Sequence, residues 1–362
     1  MPMVGRAGLP FAPGIRDQAA YDCNEMDLDV LNDVLGAAGQ PAFRARQVWS
    51  RTARGAAGYE EMTELPLALR ERLAAEVPFS CLTLESEARA RDGTVKALFR
   101  TRDSRPVEAV LMPYPAAPGA RAELAGRGRR SVCLSSQSGC PLTCTFCATG
   151  AMRFERNLTA SEILDQALHF RRLGAVDNCV FMGMGEPMLN LDAVLAACER
   201  LPDLGITHRR TAISTVGWVP GIELLAASPL PIRLALSLHA ADDALRSELM
   251  PVNERYPLGD VLEACRRHYE CKRRMVFVEY VMLAGVNDRY EQAVALAEAL
   301  DPRVFKVNLI PYNPTESPYK GSSRQAIDAF RDALEQRGLG VTVRLTRGRD
   351  IAAACGQLAA KA

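Results

Sequence analysis

From residue 131 onward, short apolar runs alternate with amphipathic helical segments, and this alternation restricts the fold more than any other feature of the sequence. It is typical of βα units arranged around a parallel sheet or barrel. The predicted strands are residues 131–135, 178–182, 211–215, 232–238, 276–282 and 305–310, with 341–345 as a late addition. Six such units predict an α/β fold built on a partial (β/α)6 barrel.

The rest of the sequence divides into three smaller parts that precede this core of residues 131–362. Residues 1–25 mix glycine, proline and small residues without periodicity and predict a loose arm. Residues 26–82 carry apolar residues at helical spacing and predict a small helical accessory domain. Residues 83–130 predict a β-hairpin, with Asp92-Gly93 as its turn, followed by a basic loop rich in proline, glycine and arginine.

Composition narrows the class of protein without identifying it. The 362 residues include eleven cysteines, and an odd number cannot all pair within one chain. Charged residues interrupt the first 24 positions, so no secretory signal is expected, and no apolar run approaches a membrane span. These features predict a cytoplasmic protein with reduced thiols and no membrane partner. The absence of coiled-coil heptads predicts a monomer, and the formal charge of +1 does not indicate a partner.

Three cysteines follow the first core strand in a single loop, at Cys140, Cys144 and Cys147. Structural zinc normally takes four ligands, usually in two separated pairs, whereas iron–sulfur clusters are held by cysteines clustered along one loop. Three thiolates leave one iron without a protein ligand, so a small molecule can bind it directly. Zinc ligation and a purely structural role remain the alternatives.

Polar residues also stand at the ends of later predicted strands. The run Met182-Gly-Met-Gly-Glu186-Pro187 closes the second strand, and its glycines allow a ligand close to the backbone. The other strand-end positions are Ser214, Ser237, Leu238, His239 and Asn313. Because the carboxyl ends of parallel strands meet at one edge, these groups are expected to converge with the cysteine loop. Each could instead be a satisfied polar group at a strand end.

The cysteine spacing, with Phe146 before the last cysteine, resembles the radical-SAM superfamily. That resemblance implies a [4Fe–4S] cluster on the three cysteines and S-adenosylmethionine (SAM) on the open iron. Gly185 and Glu186 are then similar to the superfamily's contact with the SAM amino group. The resemblance places the remaining strand-end positions around the SAM ribose and carboxylate.

A narrower resemblance covers roughly residues 27–358. It rests on the runs Cys133-Leu-Ser-Ser-Gln-Ser-Gly-Cys140, Arg156-Asn-Leu158, Met182-Gly-Met-Gly-Glu-Pro-Met-Leu-Asn190, Ser237-Leu-His239, Met250-Pro-Val-Asn253 and Ala354-Cys-Gly-Gln-Leu358. Together these look like the dual-specificity RNA (adenine-C2)-methyltransferase family. Members methylate C2 of an adenine in 23S ribosomal RNA and of an adenosine beside the tRNA anticodon.

The family resemblance implies a mechanism that uses two SAM molecules in each turnover. One methylates Cys355, and the other yields a 5′-deoxyadenosyl radical that removes hydrogen from the new methyl group, which then adds to the adenine. Cys133 matches the resolving cysteine, which releases the RNA by forming a disulfide with Cys355. Glu108 matches the proton acceptor, although a carboxylate beside a strand is more often a surface group. An electron-donating reductase system is implied as well.

Two departures from the family's usual pattern concern the C-terminal segment. Position 352 is alanine where members often carry aspartate, and the sequence ends at residue 362 without a basic tail. RNA binding is therefore expected to depend on four basic clusters, each of which could also be ordinary solvated surface. The clusters are residues 121–130, Arg209-Arg210, residues 272–274 and residues 344–349.

Particular residues distinguish this interpretation from three rivals. The sister enzyme that methylates adenine C8 of ribosomal RNA typically continues its glycine-rich run as Gly-Glu-Ala, whereas this chain has Pro187. A non-catalytic zinc- or cluster-bearing RNA-binding module has no need of distant cysteines such as Cys133 and Cys355. A radical-SAM enzyme with another substrate is disfavoured by the run around Cys355.

Overall fold

A module of three helices opens the structure. The computed structural model describes residues 28–116 and 128–360, so the predicted arm and most of the predicted basic loop lie outside the described residues. The helices are α1 (Leu28–Ala37), α2 (Phe43–Ala53) and α3 (Leu67–Glu76). Their apolar faces enclose a small core of their own that includes Leu31, Leu35, Val48, Met62, Leu69 and Leu73. The Trp49 indole N–H donates to Asp203 at 2.7 Å and so attaches the module to the barrel.

An antiparallel ribbon leads from these helices into the barrel. Its strands are β1 (Leu82–Arg89), β2 (Val95–Thr101) and β3 (Pro106–Tyr114), and β3 pairs antiparallel with β4 (Arg129–Cys133). Gly93 adopts a φ of 83° in the β1–β2 turn, as the Asp-Gly pair predicts. The ribbon therefore extends the barrel sheet by three strands that the six-unit prediction does not include.

Parallel strands and their connecting helices form the rest of the molecule. After β4 the elements are β5 (Gln137–Ser138), β6 (Arg156–Asn157), α4 (Ala160–Arg172), β7 (Asn178–Phe181), α5 (Leu191–Arg200), β8 (Thr211–Thr215), α6 (Val219–Ala227), β9 (Arg233–Ser237), α7 (Asp243–Leu249), α8 (Leu258–Lys272), β10 (Val276–Met282), α9 (Tyr290–Ala299), β11 (Phe305–Pro311), α10 (Arg324–Glu335) and β12 (Gly340–Val343). The large sheet has the order β1-β2-β3-β4-β7-β8-β9-β10-β11-β12, so β1 and β12 are its two edges. The predicted α/β partial barrel is confirmed, with β12 as a seventh parallel strand.

Alternate residues of the parallel strands face either the helices or the lumen. Ile213, Leu234 and Val278 are fully buried in the main core beneath the helices. Polar residues occupy the lumen positions of several strands, as Glu279 does in β10 and Asn308 in β11. The lumen of the barrel therefore carries polar side chains, whereas the face of the sheet beneath the helices is apolar.

The predicted strand limits are partly wrong. Residues 211–215 and 276–282 match β8 and β10. In contrast, β4 begins at Arg129 rather than at residue 131, because Arg129 and Arg130 pair with Tyr114 and Pro113 of β3. Likewise β12 covers Gly340–Val343 rather than residues 341–345.

Candidate active site

A cavity of about 160 Å³ lies at the carboxyl ends of the parallel strands. This is the end of a βα barrel whose loops carry the chemistry in barrel enzymes. Its polar and sulfur-bearing lining includes Cys144, Cys147, Glu186, Ser214, Ser237, His239, Glu279, Arg344 and Cys355. The structure thus brings the cysteine loop, the glycine-rich run and two strand-end hydroxyls together with a C-terminal cysteine.

The loop that carries Cys140, Cys144 and Cys147 is fixed by backbone bonds and by an aromatic contact. The Cys147 N–H donates to the Cys144 carbonyl at 3.2 Å, and the Phe146 ring meets the His239 imidazole edge-on at 4.8 Å. Burial raises the pKa of the Cys140 thiol to about 12, and it also raises the pKa of Cys144 and Cys147. A cation bound at the loop would favour the thiolate forms against this effect of burial.

The C-terminal loop is attached directly to the cysteine loop. The Ala148 N–H donates to the Gly356 carbonyl at 2.8 Å, and the Thr149 hydroxyl donates to the Leu358 carbonyl at 2.6 Å. The Asn313 amide donates to the Cys355 carbonyl at 3.1 Å. These bonds hold the Cys355 side chain, which is partly exposed, at the cavity.

Cys133 lies on β4 behind this loop, in a small apolar cluster with Val110, Met184 and Ala353. Burial, and to a smaller extent the nearby Cys355, raise the pKa of its thiol to about 12. All cysteines within residues 28–116 and 128–360 are free thiols, so the expected disulfide between Cys133 and Cys355 is not present in this structure. The two sulfurs are neighbours without being bonded.

An ion pair between a buried carboxylate and a partly exposed arginine lies beside Cys355 in the lumen. The Arg344 guanidinium lies 3.2 Å from Glu279 and 4.0 Å from the Cys355 sulfur. Glu279 also accepts a bond from the Asn308 amide at 2.9 Å. Burial alone lowers the pKa of Arg344, but Glu279 and then Cys355 outweigh it, so the net pKa is raised. Glu279 is a residue that the sequence prediction missed, because a carboxylate inside a strand carries no motif.

Comparisons with known proteins agree with this geometry. Residues 134–297 match the radical SAM superfamily. A radical SAM methyltransferase from Sphaerobacter thermophilus has a solved structure that is 43% identical, covers 92% of this chain and 98% of its own, and superposes with a TM-score of 0.84. A probable dual-specificity RNA methyltransferase RlmN from Chloroflexus aurantiacus is 46% identical, over 96% of this chain and 94% of its own. The chain belongs to the RlmN family. A second such relative, from Gemmatimonas aurantiaca, is 48% identical over 91% of this chain and 90% of its own.

RlmN-family membership brings a [4Fe–4S] cluster and SAM with it, and the residues present fit them. The donor set is three thiols on one loop, of which Cys144 and Cys147 line the cavity and Cys140 does not, and iron–sulfur clusters take cysteine thiolates. Within the described residues no three cysteine, histidine or acidic side chains converge on one point that a single metal ion would occupy. A cluster does not require such convergence, because each cysteine binds a different iron.

The glycine-rich run of this RlmN-family chain is packed more tightly than its sequence predicts. Gly185 has a φ of 95°, and a β-carbon there would lie 2.5 Å from Gln137. The Glu186 carboxylate accepts the Met188 and Val216 N–H groups, at 3.1 and 3.0 Å. Burial raises its pKa to about 7, against the opposing effect of these bonds. Glu186 therefore ties together the loops after β7 and β8 while it lines the cavity.

The other predicted cofactor residues occupy different positions. Ser214 and Ser237 line the cavity with their hydroxyl oxygens 3.3 Å apart. His239 lines it too and accepts the Val281 N–H at 3.0 Å, while burial lowers its pKa to about 3 and so keeps the ring neutral. Leu238 is fully buried in the main core, and Asn313 lines a smaller cavity beside Cys355. Neither of these two side chains lines the main cavity.

Glu108 is fully buried, contrary to the alternative of a surface group. One oxygen lies 2.8 Å from the Lys96 ammonium. The other accepts the N–H groups of Ala359 and Ala360, at 2.9 and 3.0 Å. The carboxylate therefore binds the segment that follows Cys355.

Arg246 is a buried residue of the site that the sequence prediction missed. It donates to the Asn253 side chain at 2.6 Å and to the Val216 carbonyl at 2.5 Å. Burial lowers its pKa to about 10, partly offset by Cys144, so it stays charged at neutral pH. Asn253 lies in the Met-Pro-Val-Asn run, and its bond with Arg246 explains what the asparagine of that run does in the fold.

Replacing Arg246 with methionine is expected to lower the free energy of unfolding by about 3 kcal/mol, because two buried acceptors lose their donor. Urea unfolding of the cluster-free protein measures the change. Arg255→Met is the matched control, since Arg255 is exposed and lies over the Trp218 ring. Equal unfolding midpoints for the two variants would contradict this role for Arg246.

The four predicted basic clusters have different surroundings. Lys272 and Arg274 donate to backbone carbonyls of Ser228 and Pro231, and Arg349 donates to Asn313. The members that line a lumen cavity are Arg129, Arg209, Arg210 and Arg344. Residues 121–127 lie outside the described residues. In the part of the chain that the structure describes, no helix is long and apolar enough to cross a membrane.

Proposed function

We propose that this chain methylates C2 of adenine in RNA, in 23S ribosomal RNA and in tRNA. The single observation that carries the proposal is the meeting of Cys355 with the cysteine loop in one cavity at the carboxyl ends of the strands. Its relatives are named as dual-specificity RNA methyltransferases, which supports the substrate. The sequence resemblance supplies the choice of C2.

The chemistry explains why two kinds of sulfur site are needed. Adenine C2 is an electron-poor carbon and cannot attack a sulfonium methyl group as a nucleophile. Cys140, Cys144 and Cys147 would hold the cluster. With two SAM molecules and one electron from an external donor, the cluster would supply a methyl group for transfer and a hydrogen-abstracting radical. Cys355 carries the methyl group, because its sulfur faces the cavity beside Cys147.

The remaining steps fall to residues of the chain. Loss of a hydrogen atom from the S-methyl group of Cys355 leaves a methylene radical, whose carbon bonds to adenine C2. The adduct then loses one electron, which would return to the cluster, and Glu108 accepts the C2 proton. The Cys133 thiolate then attacks the Cys355 sulfur, so that a sulfur–sulfur bond forms as the sulfur–carbon bond breaks. The released electron pair takes a proton to complete the methyl group. An external electron donor must afterwards reduce the disulfide.

Several roles in this proposal rest on position. Gly185, Glu186, Ser214, Ser237 and His239 surround the SAM site, because they line the same cavity as two of the cluster cysteines. Arg344 lies 4.0 Å from the Cys355 sulfur and would help to position it in the cavity. The proposal also includes that the protein is a cytoplasmic monomer and that it receives electrons from a separate reductase system.

The test is mass spectrometry of nucleosides from RNA incubated with the anaerobically reconstituted protein, SAM and a reductant. The expected product is 2-methyladenosine in both ribosomal RNA and tRNA. The matched control omits SAM. Formation of 8-methyladenosine, or an intact cluster that cleaves SAM without methylating RNA, would contradict the proposal.

A further inference from the structure

A second cavity of about 410 Å³ lies at the opposite end of the lumen from the cysteine loop. Strand residues that line it come from the amino ends of β4, β7, β8 and β9, among them Arg129, Asn178, Thr211 and Arg233. Its volume falls in the range of pockets that bind small molecules. We call this cavity the lower chamber.

The lower chamber is strongly basic. Arg129, Arg209, Arg210, Arg233 and Arg344 all line it, and Glu279 is the acidic residue among them. Glu279 is already paired with Arg344. Among the residues that the structure describes, the other four arginines have no carboxylate partner, so their charges attract an anion.

Two of these arginines lie over aromatic rings rather than against acids. The Arg129 guanidinium lies 4.7 Å from the Tyr114 ring centre, and Arg233 lies 4.3 Å from that of Phe277. The Nε of Arg233 is buried without a hydrogen-bond partner. Arginines oriented by aromatic rings are typical of surfaces that bind RNA phosphates and unstacked bases.

The lower chamber also reaches the reactive sulfur. Met182, Glu279 and Arg344 line both this chamber and the upper cavity, and Arg344 touches Cys355. A nucleotide whose phosphate lies among the arginines can therefore extend its base toward Cys355. The amino end of the barrel is then the side from which RNA enters, away from the cluster.

We propose that the lower chamber binds phosphate groups of the RNA strand next to the target adenosine, with Arg209, Arg210 and Arg233 as the contacts. The inference rests on the proposed function, since it takes RNA as the substrate. It goes further in assigning a phosphate site to a cavity at the opposite end of the barrel from the cluster.

The test measures binding of the reconstituted holoenzyme to a short RNA hairpin with an unpaired loop adenosine, across a series of salt concentrations. Two double variants are compared with the wild type, Arg210→Gln/Arg233→Gln and Arg209→Gln/Arg210→Gln. Each is expected to bind about ten-fold more weakly. Each should also lower the slope of log affinity against log salt by about 1.4, for two lost phosphate contacts on a single strand.

Arg303→Gln is the matched control, since Arg303 precedes β11 at the same end of the barrel, is exposed and is paired with Asp301 at 2.7 Å. It removes one arginine charge from outside the chamber, against two from inside it in each double variant, and should leave affinity and slope nearly unchanged. The Arg209→Gln/Arg210→Gln variant keeps the contact between Arg233 and the Phe277 ring. It therefore still tests the proposal if loss of that contact makes the other double variant misfold.

Wild-type affinity in both double variants, a loss in Arg303→Gln equal to theirs, or no RNA binding by the wild type would each overturn the inference. Nucleoside analysis of the same samples separates it from the proposed function. Wild-type 2-methyladenosine with unaffected double variants would refute only the chamber. Absence of 2-methyladenosine from a wild type that binds RNA would refute only the proposed chemistry.

Discussion

Replacing Cys355 with alanine is expected to abolish 2-methyladenosine formation while the iron content of the reconstituted protein stays unchanged. The proposed methyl carrier is the Cys355 sulfur, and alanine offers no atom to carry a methyl group. The cluster cysteines lie on a separate loop, which meets the Cys355 loop through backbone bonds such as Ala148 N–H to the Gly356 carbonyl. A side-chain change at Cys355 leaves those bonds in place. Nucleoside mass spectrometry and iron analysis measure the two effects.

The control for this variant is Cys271→Ala. Cys271 lies near the end of α8 and is exposed, so its replacement removes a thiol without touching the cavity. Product from Cys271→Ala should match that from the wild type. Residual 2-methyladenosine from Cys355→Ala would show that another atom carries the methyl group, and a parallel loss of iron would show that the substitution acts on the cluster instead.

Replacing Cys133 with alanine is expected to convert the protein into a covalent RNA adduct that persists. Without a second thiol the bond between the Cys355 methylene and adenine C2 has no displacing group, so the reaction stops after one turnover. Cys133 is suited to this part because it is buried against the C-terminal loop, in a cluster that includes Ala353 and Leu358 on either side of Cys355. Denaturing gels with labelled RNA detect the adduct as a slower band.

Cys179→Ala is the matched control for Cys133→Ala. Cys179 is a fully buried thiol on the neighbouring strand β7, but it belongs to the main core beneath the helices. It should cost some stability through a small cavity and give no adduct. Absence of an adduct from Cys133→Ala with normal product release would remove Cys133 from the mechanism.

The sequence predicts the site well where the chemistry lies within one short segment. Cys144 and Cys147 are three positions apart, and Gly185 and Glu186 are adjacent, so their spacing alone places each pair on one loop. The strand-end rule then places Ser214 and Ser237 at the same edge. The structure places all six in one cavity.

Prediction fails where a role depends on pairing between distant segments. The start of β4 at Arg129 depends on its register with Tyr114, which no local pattern encodes. Arg233 occupies a lumen position in the middle of the chain, and only barrel closure brings it near Arg129 and Arg209. Lys272 belongs to a basic run, yet its ammonium donates to the Ser228 carbonyl.

Glu108 illustrates the same limit in a different way. The motif around it identifies a carboxylate on a strand, and an isolated carboxylate is usually exposed. Its burial follows from the segment after Cys355 returning across β3, where Ala359 and Ala360 supply two N–H groups. No pattern in the sequence of β3 or of the segment after Cys355 predicts that contact.

The attachment of Ala359 and Ala360 to Glu108 links the movement of Cys355 to the release of the Glu108 carboxylate. The N–H groups of Ala359 and Ala360 bind one carboxylate oxygen, and the Lys96 ammonium lies against the other. In this arrangement the proposed base has no free oxygen for a substrate proton. The same short stretch leads directly from Cys355. In the proposed mechanism, a movement that carries the sulfur toward an RNA base would also detach Ala359 and Ala360 from Glu108. The carboxylate would then be free to accept the C2 proton only once an RNA base is in place.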